Sequence, residues 1–207
     1  MSDVSSPLYT RWEYPLIRLV QRAKNIFFLP LVRPLSALGI RPTHVSTASA
    51  LSAVMGAWLA YFLEAPSYLV VGLALHLVLD GLDGTLARAL RAEGPFGARL
   101  DVVCDLLGLG AFLAYLGYTL PHTAVTVLLC GMFYSVTTIG SFALGLMGAQ
   151  LAFLVRPRIF IYGAFILQTL WAVPATMPIL QITTVLMLGE TIYVLYTLLS
   201  IAYHRSK

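Results

Sequence analysis

Residues 80–105 read DGLDGTLARALRAEGPFGARLDVVCD, and they put four aspartates into a stretch otherwise composed like membrane. Ionisable side chains at that depth are costly, so by default they mark a functional site. Asp80, Asp83, Gly84, Ala87 and Arg88 fall at i, i+3, i+4, i+7 and i+8, the positions of one helix face. Gly97, Asp101 and Asp105 repeat the pattern at i, i+4 and i+8. Gly94-Pro95 between them is a turn signal, which predicts a second helix running back beside the first. Two such helices would present four carboxylates, one guanidinium and two glycines to a shared cavity. That is a pattern for metal and phosphate.

Outward from this stretch, the chain of 207 residues is 59% hydrophobic and only 11% charged. An average soluble domain carries about a quarter charged residues. The apolar content falls into blocks of about 20 residues, the length that spans a bilayer as helix. Spans are expected at roughly 45–64, 67–91, 97–119, 122–147, 157–177 and 180–203. The fold class is therefore all-α integral membrane, with six transmembrane helices. Gly140, Gly145 and Gly148 are expected to end or kink the fourth span.

All 13 Lys and Arg residues fit one orientation. Arg11, Arg18, Arg22, Lys24, Arg33 and Arg41 precede the first span. Arg88, Arg91 and Arg99 flank the second connector, Arg156 and Arg158 the fourth, and Arg205 and Lys207 close the chain. The connectors at 64–67, at Pro121-His122 and around Pro178 carry none. Positive residues favour the cytoplasmic side, so both termini and the aspartate-bearing helix ends are expected there.

Residues 1–44 form an N-terminal segment ahead of a membrane domain at 45–207. This segment interleaves Trp12, Tyr14, Ile17, Leu19, Ile26, Phe27 and Phe28 with Arg and Lys, as an amphipathic interfacial helix does. Pro15 permits a helix start, and Pro30 and Pro34 are expected to break it up. The first 40 residues hold no uninterrupted apolar run, so no cleavable signal peptide is expected. Cys104 and Cys130 sit in apolar segments and read as reduced packing residues. His44 and His122 read as loop residues, and Met132, Met147 and Met187 as ordinary lipid-facing or core side chains.

Clustered carboxylates at low dielectric need cations to compensate them. Hard oxygen ligands select Mg²⁺, Mn²⁺ or Ca²⁺, and no Cys/His set has zinc spacing. An EF-hand loop is excluded, because these acids repeat with helical period. Gly84 and Gly97 let a ligand approach backbone, and Arg88 suits phosphate oxygens. Metal with arginine around an anionic ligand is apparatus for displacement at phosphorus.

At this point the residues match a family. The string Asp80-x2-Asp83-Gly84-x2-Ala87-Arg88-x8-Gly97-x3-Asp101-x3-Asp105 resembles the full signature of the CDP-alcohol phosphotransferases, also called CDP-alcohol phosphatidyltransferases. The resemblance implies an integral membrane enzyme of phospholipid synthesis that joins a CDP-activated partner to an alcohol and releases CMP. By position it implies Asp80, Asp83 and Asp101 as metal ligands. Asp105 is implied as the base toward the acceptor hydroxyl, sharing in coordination. Gly84, Ala87, Arg88 and Gly97 would line the CDP site. Pro42, Thr43, Ser46 and Thr47 resemble an element that closes the nucleotide pocket, while Pro42 and Ser46 equally suit a helix start. The cofactor implied is Mg²⁺ or Mn²⁺, as two ions. The partners are a CDP-linked lipid, an alcohol acceptor and membrane lipids, with a homodimer and no nucleic acid.

Arg156 and Arg158, and likewise Arg99, are candidates for an acceptor phosphate, beside the plainer reading as topogenic or snorkelling charges. They tilt the reading towards CDP-diacylglycerol as donor and a polar, phosphorylated alcohol as acceptor. The alternative within the family is transfer from CDP-choline or CDP-ethanolamine to a lipid alcohol. A cation transporter is the other-class alternative. It fits less well, because the acids cluster at one helix end and no repeat is present. His76, one turn before Asp80, reads as a packing histidine with a backbone partner, and Glu190 as facing protein or cavity. Gly108, Gly110, Gly117 and Gly131 would permit close helix packing.

Overall fold

The computed structural model describes residues 14–92, 94–149 and 157–205, with side chains from residue 26 to residue 204 of these. Seven α-helices follow in order: α1 Tyr14–Ala37, α2 Pro42–Phe62, α3 Pro66–Ala89, α4 Pro95–Thr119, α5 Ala124–Leu146, α6 Arg158–Trp171 and α7 Thr176–Arg205. A single 3-10 turn at Pro121–Thr123 leads into α5. No strand occurs among the described residues.

Local chemistry sets most boundaries. Pro42, Pro66 and Pro95 occupy the first turns of α2, α3 and α4, where the missing N–H costs nothing and the ring pre-sets φ. Helices α1, α2, α3 and α5 all end in a paired 6→1 and 5→2 hydrogen-bond motif around one left-handed residue. That residue is Gly39 after α1 and Gly148 after α5, but Glu64 after α2 and Arg91 after α3.

Five helices are long and apolar enough to cross a membrane: α2, α3, α4, α5 with its leading 3-10 turn, and α7. The expected fifth span, 157–177, is instead the 14-residue α6. At about 1.5 Å per residue it reaches about 21 Å, short of a hydrocarbon core of about 30 Å. It stops because Ala172 turns left-handed (φ 56°) ahead of Pro174. Many large apolar side chains face outward, among them Val71, Leu107, Val125, Leu128, Val185 and Leu199. Such a surface fits lipid rather than water. The protein is an integral, multi-pass membrane protein.

Three expectations need correction. Pro30 and Pro34 do not break α1, which runs through both. Tertiary packing compensates for the lost hydrogen bonds: Phe28 and Val32 bury against Val45, Leu82 and Leu86. His44 lies inside α2, where its Nδ1 accepts from the Arg41 N–H, and His122 lies in the 3-10 turn. The third concerns α3 and α4, which do not run side by side: they touch over only a short stretch, and α2 packs along both.

The reason is a glycine crossing that the spacing argument overlooked. A Cβ at Gly72 of α3 would lie 2.6 Å from the Ser52 carbonyl oxygen and 2.8 Å from the Gly56 Cα of α2. With Ala53, Ala57 and Ala60 also buried on α2, the two backbones meet almost without side chains between them. Of the glycines noted from sequence, Gly108 and Gly131 do accept close neighbours, His76 and Leu113, whereas Gly110 faces open space. The main core joins Leu69 and Leu73 to Phe112 and Leu116, Ile161 and Phe165, and Leu180 and Met187. Both cysteines are buried and free, and Glu190 is buried.

Candidate metal and phosphate site

The aspartate-bearing faces converge at the C-terminal half of α3 and the N-terminal halves of α4 and α6. Asp80 comes from α3, and Asp101 and Asp105 come from successive turns of α4. One carboxylate oxygen from each lies within 4.8 Å of the others. Helix α6 begins at Arg158, and its buried guanidinium enters the same group. Nη2 donates to Asp80 Oδ2 at 3.1 Å, and Nη1 donates to Asp105 Oδ1. The side chains of Asp80 and Asp105 are largely shielded, whereas Asp101 is exposed. Three acids in such company require positive charge. Arg158 supplies part of it.

Asp83, expected with Asp80 and Asp101 as a metal ligand, has no oxygen in the group drawn within 4.8 Å, though it interacts electrostatically with Asp80 and Asp101. Three residues after Asp80, it projects about 60° around the helix towards α2, where it is buried. The Ser46 hydroxyl of α2 is its hydrogen-bonding neighbour. The same hydroxyl lies 3.1 Å from the Pro42 carbonyl, so its one proton serves one acceptor at a time. Pro42 opens α2, Thr43 is half-buried, and exposed Thr47 donates to the Thr43 carbonyl. Pro42 thus opens α2, whereas Ser46 bonds back within the helix rather than capping it, and it neighbours Asp83 as well.

Arg88 is half-buried and folds back along its own helix, with Nη2 donating to Thr85 Oγ1 at 3.3 Å. A Cβ on Gly84 would touch its Nη1 at 3.4 Å, so Gly84 makes the groove that the guanidinium follows. Ala87 is half-buried on the same face. Gly97 is half-buried and a Cβ there would meet nothing within 4 Å. Among the described residues, no neighbour requires glycine at that position. Arg99 is exposed near the turn, and Arg156 lies outside the described residues.

Arg158, an expected acceptor-binding residue, is found in contact with Asp80 and Asp105. That contact spans 53 and 78 positions of chain and has no local signal. His76 was expected to hold a backbone partner, and it does: Nδ1 lies 3.1 Å from the Ser49 carbonyl and 2.8 Å from its hydroxyl.

The three carboxylates suit a hard divalent cation. Octahedral ligands at about 2.0–2.1 Å stand about 4.2 Å apart across the ion, so a small side-chain movement closes the group. Hard oxygens beside a guanidinium, at one end of a membrane helix bundle, are what a metal-dependent enzyme of phosphate esters needs. The chain belongs to the CDP-alcohol phosphatidyltransferase family, whose model matches residues 40–203. A transporter reading is set aside by that membership.

Among similar proteins is a phosphatidylinositol phosphate synthase of Mycolicibacterium smegmatis, 32% identical over 107 residues. The match covers 49% of this chain and 48% of that relative, so the chain spans about half the relative's length. Two crystal structures of Mycobacterium tuberculosis phosphatidylinositol phosphate synthase share the fold, each at TM-score 0.70 and 21% identity over 81% of this chain. One contains manganese and citrate and is covered over 87% of its length; the other contains CDP-DAG and is covered over 91%.

Proposed function

We propose that the protein transfers a phosphatidyl group from CDP-diacylglycerol to a polar, phosphorylated alcohol and releases CMP. The observation that carries this reading is Arg158, a buried cation in direct contact with Asp80 and Asp105. An arginine in that position gives a phosphate-bearing acceptor a partner within the carboxylate group itself. The name of the mycobacterial relative, the synthesis of a phosphorylated inositol lipid, agrees with it.

The residues then divide the work. Asp80, Asp83 and Asp101, with Asp105 sharing, would hold Mg²⁺ or Mn²⁺ as two ions, which would supply electrostatic stabilisation to the diphosphate. Manganese in a structural neighbour agrees with this choice. Gly84, Ala87, Arg88 and Gly97 receive the CDP moiety, with Pro42, Thr43 and Ser46 of α2 closing over it. An acceptor phosphate draws the Arg158 guanidinium from Asp105, with Arg99 and Arg156 adding positive charge around it. Asp105 is then free to take the acceptor hydroxyl proton. The resulting alkoxide attacks the phosphorus of the phosphatidyl group. The bond from that phosphorus to the bridging oxygen breaks, and the electron pair leaves with CMP. The distribution of basic residues supports a site and termini that face the cytoplasm, with α1 in the interface. A homodimer is the assembly.

The test is CMP release by the purified protein with CDP-diacylglycerol and Mg²⁺, against glycerol 3-phosphate, inositol 1-phosphate, inositol and serine. Release dependent on one phosphorylated acceptor is expected. Release only with inositol or serine removes the phosphate requirement. Silence with all four, but activity with CDP-choline or CDP-ethanolamine and diacylglycerol, overturns the donor.

A further inference from the structure

One helical turn deeper than the acids, the same three helices contribute a second layer. His76 precedes Asp80 by four residues, Gly108 follows Asp105 by three, and Tyr162 follows Arg158 by four. His76 and Tyr162 are fully buried, with ring centroids 6.0 Å apart, and Phe112 packs on the tyrosine at 5.3 Å. Both carry a polar atom without a hydrogen-bond partner among the described residues: Nε2 of His76 and the hydroxyl of Tyr162.

The hydrogen bonds on the far side of the imidazole assign its tautomer. Ser49 Oγ donates its one proton to the His76 carbonyl at 2.8 Å. Nδ1 faces the Ser49 carbonyl at 3.1 Å, and a carbonyl only accepts. Nδ1 therefore bears the hydrogen, and in the neutral ring Nε2 is a bare acceptor. It points at α4 where Gly108 leaves room: a Cβ there would lie 2.5 Å from Nε2. A buried acceptor and a buried donor, the Tyr162 O–H, thus belong to two rings in edge contact, and each lacks a partner among the described residues. Tyr162 also interacts electrostatically with Arg158, one turn away on the same face of α6. Asp80 and Asp105 engage one donor on each terminal nitrogen of Arg158, and a guanidinium has five.

A buried hydroxyl with no partner costs stability, and phenylalanine would fill the same space without that cost. We propose that Tyr162 and His76 are positioning residues for Arg158. The phenol donates towards Nε2 of His76 and turns its lone pairs to the guanidinium, setting the depth at which Arg158 meets an anionic acceptor. This inference rests on the reading of Arg158 as the acceptor-phosphate group.

The test is steady-state CMP release by the full chain in detergent micelles. CDP-diacylglycerol is held saturating and inositol 1-phosphate is varied, with glycerol 3-phosphate in parallel. Tyr162→Phe should raise the KM for the phosphorylated acceptor at least fivefold. It should leave the KM for CDP-diacylglycerol within twofold. His76→Asn keeps an amide donor where Nδ1 stood but removes the Nε2 acceptor, so it should behave like Tyr162→Phe. His76→Gln places an oxygen near Nε2 and should rescue most of the loss. Arg158→Lys is the control on the underlying reading and should itself raise the acceptor KM. If Arg158→Lys does so while Tyr162→Phe and His76→Asn do not, the positioning role is overturned and the reading of Arg158 stands. If Tyr162→Phe weakens donor and acceptor alike and lowers the melting temperature, the hydroxyl is structural and the proposal is again overturned. No turnover with either acceptor, or an unchanged acceptor KM in Arg158→Lys, overturns the reading beneath it.

Discussion

Replacing Gly72 with alanine should destabilise the bundle, although alanine is the better helix former. The added Cβ would lie 2.6 Å from the Ser52 carbonyl oxygen and 2.8 Å from the Gly56 Cα. Ordinary contacts begin near 3.4 Å, so α2 and α3 must part by 3.4 − 2.6 = 0.8 Å. Both obstructing atoms are backbone, so no side chain can rotate aside. Overpacking of this kind costs about 1–3 kcal/mol, against about 1 kcal/mol of helix propensity gained. Near the upper end of that range, the net loss is about 1–2 kcal/mol. For a chain of this size, each kcal/mol moves the melting temperature by about 2–4 °C. The paired control is Gly110→Ala, also inside a membrane helix but with nothing within 4 Å of its Cβ. It should melt at or slightly above the parent temperature. Thermal unfolding in detergent micelles, followed by circular dichroism, compares the two. If Gly72→Ala melts as high as Gly110→Ala, the close crossing of α2 and α3 is not what holds the bundle together.

Asp105→Asn should abolish CMP release while sparing Mn²⁺ binding more than Asp80→Asn does; equal loss of Mn²⁺ in titrations of both would refute that division of roles. Phe28→Ala removes the ring that packs over Gly81 and anchors α1. A loss of about 3–5 kcal/mol at that contact should undock the helix, seen as faster tryptic cleavage after Lys24 than in the parent protein. Unchanged cleavage would mean that Val32 and the lipid surface hold α1 without it. Glu64 occupies the left-handed position that ends α2, at φ 51°. Glu64→Gly should stabilise by about 0.5–1 kcal/mol, the relief of that backbone outweighing the extra freedom of the unfolded chain, and a lower melting temperature would contradict this.

The membrane class, the helix starts near Pro42, Pro66 and Pro95 and the aspartate face of α3 were legible in the sequence because each is a short-range property. Length and hydropathy report a span, proline reports a first turn, and spacing of three or four reports a face. The same rules misplaced what depends on neighbours. Pro30 and Pro34 read as breaks, yet α1 continues because Phe28 and Val32 find a groove on α2 and α3. The hairpin expected of Gly94-Pro95 does form as a turn, yet the helices it joins meet over only a short stretch and α2 packs along both, because Gly56 and Gly72 allow a closer crossing.

For the site, the sequence by itself determined which acids and glycines stand on which helix face, since helical geometry leaves no choice once the helices exist. Only the tertiary structure decided which of them meet. It drew Asp80, Asp101 and Asp105 into one group and turned Asp83 towards Ser46. It also brought Arg158 across from α6 to two of the acids, with Tyr162 and His76 beneath. Those contacts join segments dozens of residues apart. Nothing local encodes them; they follow from where the helix axes cross, and small residues at the crossings set that.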